Sequence, residues 1–131
     1  IDVPAFQPRT RRHAAAGRWA RRLGMPREGR RRRFRGEVEA FFGRYDALIT
    51  PALATPPIAA GPWAERSWLA NVVANATYAP FAAPWNLAGV PAGVVPRGRH
   101  SGGTPLSVQV VCAPGGEATV LRLMLDLHRA P

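Results

Sequence analysis

Apolar residues recur at helical spacing in four segments of the chain, and glycine or proline residues separate these segments. The spacing predicts helices over residues 9–23, 34–44 and 68–78, and a last helix after Gly116 with Glu117 in its first turn and Arg129 near its end. Residues 29–33 form a basic run between the first two helices, and we expect this run to be a mobile connector.

Each predicted helix has a side that we expect to face a core. In the first two helices, Trp19 and Phe34 are expected to pack inward. Ser67 is expected to cap the third helix. The last helix has the broadest apolar face, formed by Val120, Leu123, Met124 and Leu127 and widened by Leu121 and Leu125.

Three further segments have the pattern of β-strands. Residues 46–50 are apolar at successive positions, which predicts a strand covered on both faces. Residues 93–96 and 106–113 flank a glycine-rich turn and predict a hairpin. Residues 80–91 are rich in aromatic and turn residues and predict an irregular connection.

These elements predict a mixed α/β fold. A sheet of three short strands leaves edges without a partner, so we expect the strands to belong to the end of a larger sheet. Because the first residue is Ile1, we expect the 131 residues to be a processed product, an internal piece or a truncated form.

The net charge of +10 is confined to the first quarter of the chain. Residues 1–35 contain twelve of the eighteen basic residues and two acidic ones, whereas residues 36–131 contain six of each. All eighteen basic residues are arginine. A basic segment of this kind can bind nucleic acid through its phosphates, or it can be a solvated helix face. The helical spacing of the apolar residues favours the solvated face.

The residue inventory argues against several kinds of self-contained catalysis. The three histidines and Cys112 lack metal-ligand spacing, and the sequence has no lysine for a phosphate-binding loop. The three serines are expected to be a helix cap, a turn residue (Ser101) and a strand residue (Ser107). None lies in a nucleophile elbow. The single cysteine excludes an internal disulfide, and we predict a reducing, cytoplasmic location.

Four segments, in this order, resemble the amidase signature family. Residues 41–57 are similar to its passage of a hydrophobic strand, Thr-Pro and further prolines. Residues 78–92 resemble its Phe-Thr and Asn-Leu-x-Gly-x-Pro-Ala block, with Ala82 where threonine is usual. Residues 102–111 resemble its Gly-x-Pro-x-Ser-x-Gln strand, and residues 114–128 resemble its C-terminal end.

The resemblance implies an enzyme that hydrolyses carboxylic amides. It implies an α/β/α fold with a mixed sheet and flanking helices, and a Ser–cis-Ser–Lys triad that needs no cofactor or metal. The family's triad lies in segments upstream of the four blocks, and this sequence has neither lysine nor a Gly-Gly-Ser-Ser stretch. No catalytic residue can therefore be assigned to this chain, which is expected to be inactive alone.

The resulting hypothesis is the C-terminal part of an amidase. Residues 1–39 are predicted to be an Arg-rich helical segment with its connector, and residues 40–131 the C-terminal part of the amidase domain. Its partners would be the missing N-terminal half of the fold and a small amide substrate, with Tyr78, Trp85 and Asn86 as candidates for the substrate-pocket wall. These three side chains could equally pack the core.

Two alternatives stay open at this stage. One is a non-catalytic, Arg-rich protein that binds nucleic acid or another polyanion. This binding protein is less favoured than the amidase. The other is a protein similar to the amidase-like subunit of an amidotransferase. Neither a metal nor a membrane is expected as a partner, since the sequence has no apolar run of the roughly 20 residues that a membrane span needs.

Overall fold

A computed structural model of the protein describes residues 7–25 and 28–130. This part of the chain forms five helices and three strands. In chain order they are α1 (Pro8–Arg22), α2 (Glu28–Phe42), β1 (Ala47–Pro51), α3 (Trp68–Tyr78), α4 (Ala83–Ala88), β2 (Ala92–Arg99), β3 (Pro105–Cys112) and α5 (Glu117–Arg129). The predicted mixed α/β class is therefore confirmed.

The three strands form one sheet in the order β1-β3-β2. The predicted hairpin of β2 and β3 is present, with Gly93 opposite Val110. Strand β1 pairs antiparallel with the other edge of β3 and places Leu48 opposite Val111. Because both pairings are antiparallel, the mixed sheet stays a prediction for a larger fold.

Helices cover both faces of this sheet. On one face, Val110 and Cys112 of β3 pack with Val120 of α5. On the other face, Val111 packs with residues of α2, α4 and the following turn. Strand side chains alternate between the faces, so the apolar run in β1 is divided: Ala47 packs on the α5 side and Leu48 on the other. The prediction that this strand is covered on both faces holds for Ala47 and Leu48, whereas Ile49 is half exposed.

Helix α5 has a narrower core face than its sequence predicted. Val120, Leu123, Met124 and Leu127 pack against the sheet, as expected. Leu121 and Leu125 are exposed, and the prediction that they widen the core face is wrong for the described structure. The sheet is too small to contact more than one stripe of the helix.

The N-terminal helices depart from the predictions at two points. Residues 29–33 are part of α2, not a connector. Arginine favours helices, and the (i, i+4) pairs Arg33–Glu37 and Arg35–Glu39 add support. Phe34 packs inward as predicted, but Trp19 is exposed. The predicted division between residues 39 and 40 falls within α2 and stays a prediction.

The segment before β2 contains a helix that the sequence pattern did not predict. Helix α4 is six residues long, with Pro84 near its start, and Gly89 ends it in the left-handed conformation with φ of +71°. A helix of this length has no complete apolar period to detect, whereas prolines and aromatics suggest an irregular connection. By contrast, α3 begins as predicted, and its cap Ser67 accepts a hydrogen bond from the Ala70 amide.

No helix in the described ranges combines the length and apolar character needed to cross a membrane.

Candidate functional site

Three of the four sequence blocks meet where β1 ends beside β3. The amide of Ala52, just after β1, donates a hydrogen bond of 3.0 Å to the Ser107 carbonyl of β3. Two residues on, the Ala54 amide donates to the Tyr78 carbonyl at the end of α3, again at 3.0 Å. These bonds join segments that lie far apart in the sequence, and the junction of these segments is the candidate functional site.

The side chain of Gln109 on β3 forms hydrogen bonds with the other two of these three segments. Its side chain is 4% exposed, and its Nε2 donates to the Phe81 carbonyl at 3.0 Å. The same nitrogen lies 3.4 Å from the Thr50 hydroxyl oxygen on β1. A buried amide is stable only when its hydrogen bonds are made, so this residue fixes the segment after α3 against the sheet. The sequence pattern alone did not single out Gln109.

A small cavity of about 170 Å³ opens beside the junction. The residues after β1, from Leu53 to Pro57, form one side of it. His100 and the residues from Thr104 to Ser107 form the other side. This volume is below the roughly 300–1,000 Å³ of typical small-molecule sites. The cavity can therefore form one wall of a substrate pocket but not a whole pocket.

The three candidate wall residues have different environments. Tyr78 is half-buried at the end of α3, next to the junction. Trp85 is half-buried and packs against the core cluster on the α2 side of the sheet, and its buried Nε1 has no hydrogen-bond partner within the described residues. Asn86 follows it on α4 and is exposed. Only Tyr78 is hydrogen-bonded into the junction, through its carbonyl.

The serines do not form a catalytic arrangement with the residues around them. The Ser101 hydroxyl lies 3.3 Å from Nδ1 of His100, and the Gly102 amide donates to the same nitrogen. No carboxylate of the described chain is hydrogen-bonded to His100 to orient it as a base. Nucleophilic catalysis needs a nucleophile, a base and a group that orients the base, and this turn supplies only the first two.

One further histidine has a partner that the sequence did not predict. Nδ1 of His13 on α1 accepts a hydrogen bond of 3.2 Å from Nε1 of Trp68 on α3. The two rings meet edge to face, with centroids 5.8 Å apart. This contact joins the Arg-rich helix to the body of the fold. Elsewhere in the described ranges, no three histidine, cysteine or acidic side chains cluster closely enough to hold a metal.

Cys112 is in an environment that suppresses thiol reactivity. Burial raises the pKa of its thiol, and the negative charge of Asp46 raises this pKa further. The side chain is enclosed between β3 and α5. Since the thiolate is the reactive form, Cys112 is a packing residue and not a nucleophile.

We expect iodoacetamide at pH 8 to alkylate Cys112 about 100-fold more slowly in the native protein than in urea, because alkylation requires both opening and ionisation. Mass spectrometry of a tryptic peptide that contains this cysteine measures the rate. The sequence has no second cysteine to confuse the reading. Fast labelling of the native protein would contradict the buried placement and return Cys112 to the candidate nucleophiles.

The described chain is an α/β structure with a three-stranded antiparallel sheet and helices on both of its faces. A family model described as Amidase matches residues 6–121. This match covers most of the sequence, and the chain belongs to the amidase family.

Several curated proteins are similar to the chain. "Putative amidase AmiB2" of Mycobacterium tuberculosis is 34% identical over 93 residues, 71% of this chain and 20% of that protein. "Putative amidase" of Synechocystis is 36% identical over 93 residues, 71% of this chain and 18% of that protein. "Fatty acid amide hydrolase" of Medicago truncatula is 32% identical over 99 residues, 76% of this chain and 16% of that protein. The chain thus matches about a fifth or less of the length of these relatives.

Proposed function

We propose that this chain is the closing part of an amidase and that its role in the complete enzyme is to finish the fold and form one wall of the substrate pocket. The family match over residues 6–121 carries the proposal. The sequence lacks lysine, and no serine of the described chain has a base held by an orienting group. The catalytic Ser, Ser and Lys would therefore come from segments outside these 131 residues.

The complete enzyme would transfer the acyl group of a carboxylic amide to water. One serine oxygen attacks the carbonyl carbon while its proton passes through the second serine to the lysine, and backbone amides stabilise the oxyanion. The carbon–nitrogen bond breaks, and the amine leaves with a proton that the second serine relays from the lysine. Water then hydrolyses the serine ester, which releases a carboxylic acid and restores the serine.

Unpartnered strand edges support a place inside a larger sheet. Because β3 lies between β1 and β2, the outer edges of β1 and β2 have no partner among the described strands. Ile49 and Val94, one on each of these strands, are half exposed, and so are Leu121 and Leu125 of α5. Free edges flanked by apolar side chains are unusual in a protein that stands alone.

The substrate wall is proposed to run from Tyr78 at the junction to Trp85 and Asn86 on α4. Tyr78 lies beside the loop after β1, which borders the small cavity. Asn86 offers an exposed amide that could donate to or accept from a substrate. Trp85 would support this wall from the core side, where it packs against the core cluster that contains Val38 and Val111. We also propose a cytoplasmic location, since the single buried Cys112 suits a reducing compartment.

Amide turnover by the separated chain and by the intact protein tests the proposal. Residues 1–131 alone are expected to release no amine or ammonia from a panel of aliphatic and aromatic amides. The intact protein includes the sequence that adjoins this chain in its gene. It is expected to release the carboxylic acid together with the amine or ammonia. In the intact protein, Ser101→Ala is expected to keep the turnover number within about threefold, because its hydroxyl takes no part in the reaction and Ser101 does not border the cavity.

Two results would overturn the proposal. One is turnover by residues 1–131 that is lost on changing Ser101 or Ser107, since it would place the nucleophile in this chain. The other is a gene whose adjoining sequence encodes neither a lysine nor a Gly-Gly-Ser-Ser stretch, since the intact protein would then lack the triad. Neither the comparisons nor the structure favours the polyanion-binding or amidotransferase alternatives.

A further inference from the structure

A second, wider cavity lies away from the junction, where residues of α1, α2 and α4 come together. Its volume is about 740 Å³, within the range of roughly 300–1,000 Å³ that small-molecule sites have. Leu23 and Met25 border it after α1, Phe34 on α2 and Leu87 on α4. Of its lining residues, only Leu87 lies within one of the four sequence blocks.

Three apolar side chains in the walls of the cavity are about half exposed to solvent. Leu23 is 55% exposed, Met25 is 51% exposed and Leu87 is 46% exposed. Single exposed apolar residues are ordinary, but these three line one concavity and offer an apolar ligand a common surface. An apolar ligand would remove this surface from water at about 25 cal/mol per Å².

Two guanidinium groups stand beside the apolar walls. Arg31 donates through Nε to the Leu87 carbonyl at 3.1 Å, which holds its side chain in place and leaves its terminal nitrogens available. Arg30 also borders the cavity and forms no ion pair with a residue of the described chain. Arg33 and Arg35, by contrast, are engaged with Glu37 and Glu39.

From these observations we propose that the cavity binds a carboxylate that carries a single apolar chain. The apolar walls would hold the chain, and Arg30 and Arg31 would bind the carboxylate through charge-assisted hydrogen bonds. Arginine suits this role because its planar fork matches the two oxygens of a carboxylate. This cavity shares no lining residue with the cavity at the junction, and its test measures binding and not turnover, so a negative result would leave the proposed amidase function standing.

The apolar walls distinguish this ligand from the other anions that a basic segment could attract. A nucleic acid or polyphosphate would need cations and polar donors, and Leu23, Met25 and Leu87 would contribute nothing to its binding. A membrane surface is flat, whereas this site is a cavity lined from three helices. A free single-chain amphiphile satisfies both the charge and the shape.

Calorimetric titration of the intact protein with laurate below its micelle concentration tests the proposal. Laurate is expected to bind about one molecule per chain, and decanoate about fifteenfold more weakly, since each methylene contributes about fourfold. Dodecyltrimethylammonium has the same chain length and the opposite charge, and we expect it to bind at least about tenfold more weakly than laurate.

Matched variants assign the binding to this cavity. Arg30→Gln is expected to weaken laurate binding by about tenfold, and the double variant Arg30→Gln/Arg31→Gln by more. Arg32→Gln is the control, because it removes the same charge from the same helix at an exposed residue that does not border the cavity. Leu23→Asn retains both arginines and is expected to weaken laurate binding by removing apolar contact.

Several outcomes would overturn the inference. They are the absence of laurate binding, equal affinities for laurate and dodecyltrimethylammonium, and equal losses in Arg30→Gln and Arg32→Gln. Binding to vesicles of anionic lipid without binding to monomeric laurate would instead indicate a membrane surface. If circular dichroism shows that Leu23→Asn fails to fold, the arginine variants still decide the result, because their side chains lie at the surface.

Discussion

Replacing Gly93 with valine is expected to lower the free energy of unfolding by about 3 kcal/mol or more. Gly93 lies opposite Val110 on the face of the sheet that α5 covers. A Cβ atom there would overlap the Met124 sulfur and lie 2.9 Å from Cγ1 of Val120. Helix α5 rests directly on the backbone of β2, so a side chain at this position pushes the helix off the sheet. Urea unfolding of the intact protein, followed by tryptophan fluorescence, measures the loss.

Two further variants show whether the contact with α5 is the cause. Gly36→Ala adds a methyl group in open space on α2, and it is expected to raise stability by up to about 1 kcal/mol. Combining Gly93→Ala with Met124→Ala is expected to cost less than the sum of the two single changes, since truncating Met124 makes room for the new methyl group. A Gly93→Val protein as stable as the wild type would mean that α5 does not pack against β2.

The spacing of apolar residues correctly predicted the elements in which buried residues recur at regular intervals. The residues of α5 that meet the sheet recur every three or four positions, and β3 alternates between a face with Val110 and a face with Val111. Patterns of this kind depend on which side is buried, and local sequence carries that information. The exposed Leu121 shows the limit, because the width of a buried face depends on the size of the partner surface.

Long-range pairing was outside the reach of these patterns. The hairpin of β2 and β3 could be predicted from a short connection, but β1 joins the same sheet after more than fifty intervening residues. Nothing in the apolar run of β1 indicates that its partner is β3. Helix α4 was missed for a related reason: its six residues are helical because they pack against α2, a contact made in three dimensions.

The candidate site could be predicted only through family resemblance. The blocks at residues 41–57, 78–92 and 102–111 were visible in the sequence, but their meeting point was not. Their junction depends on the bonds of Gln109, which span 28 residues to Phe81 and 59 residues to Thr50. A glutamine in an apolar strand is the signal that could have located this point, since a buried amide requires partners.

The Gln109→Glu variant is expected to test this junction with a large loss of stability, about 3 kcal/mol at pH 7. Glutamate has nearly the same shape as glutamine, but its ionised form has no donor for the Phe81 carbonyl and places a charge at a buried position. Gln109→Leu also removes the donor but adds no charge, so we expect it to cost about 1–3 kcal/mol.

The pH dependence of these two variants separates charge from the lost hydrogen bond. Burial should raise the pKa of the introduced carboxyl in the folded Gln109→Glu protein above its unfolded value of about 4.3. Below about pH 4.3 the carboxyl is neutral in the folded and the unfolded protein. The neutral carboxyl can donate to the Phe81 carbonyl, so the charge penalty is absent. As pH rises above about 4.3, the unfolded state loses its proton first, and stability falls until the folded pKa is passed.

Urea unfolding at pH 4 and pH 7 should therefore show a larger difference from wild type at pH 7 for Gln109→Glu, and the same difference at both values for Gln109→Leu. Equal costs of the glutamate variant at both pH values would mean that Gln109 reaches solvent and does not hold the three segments together.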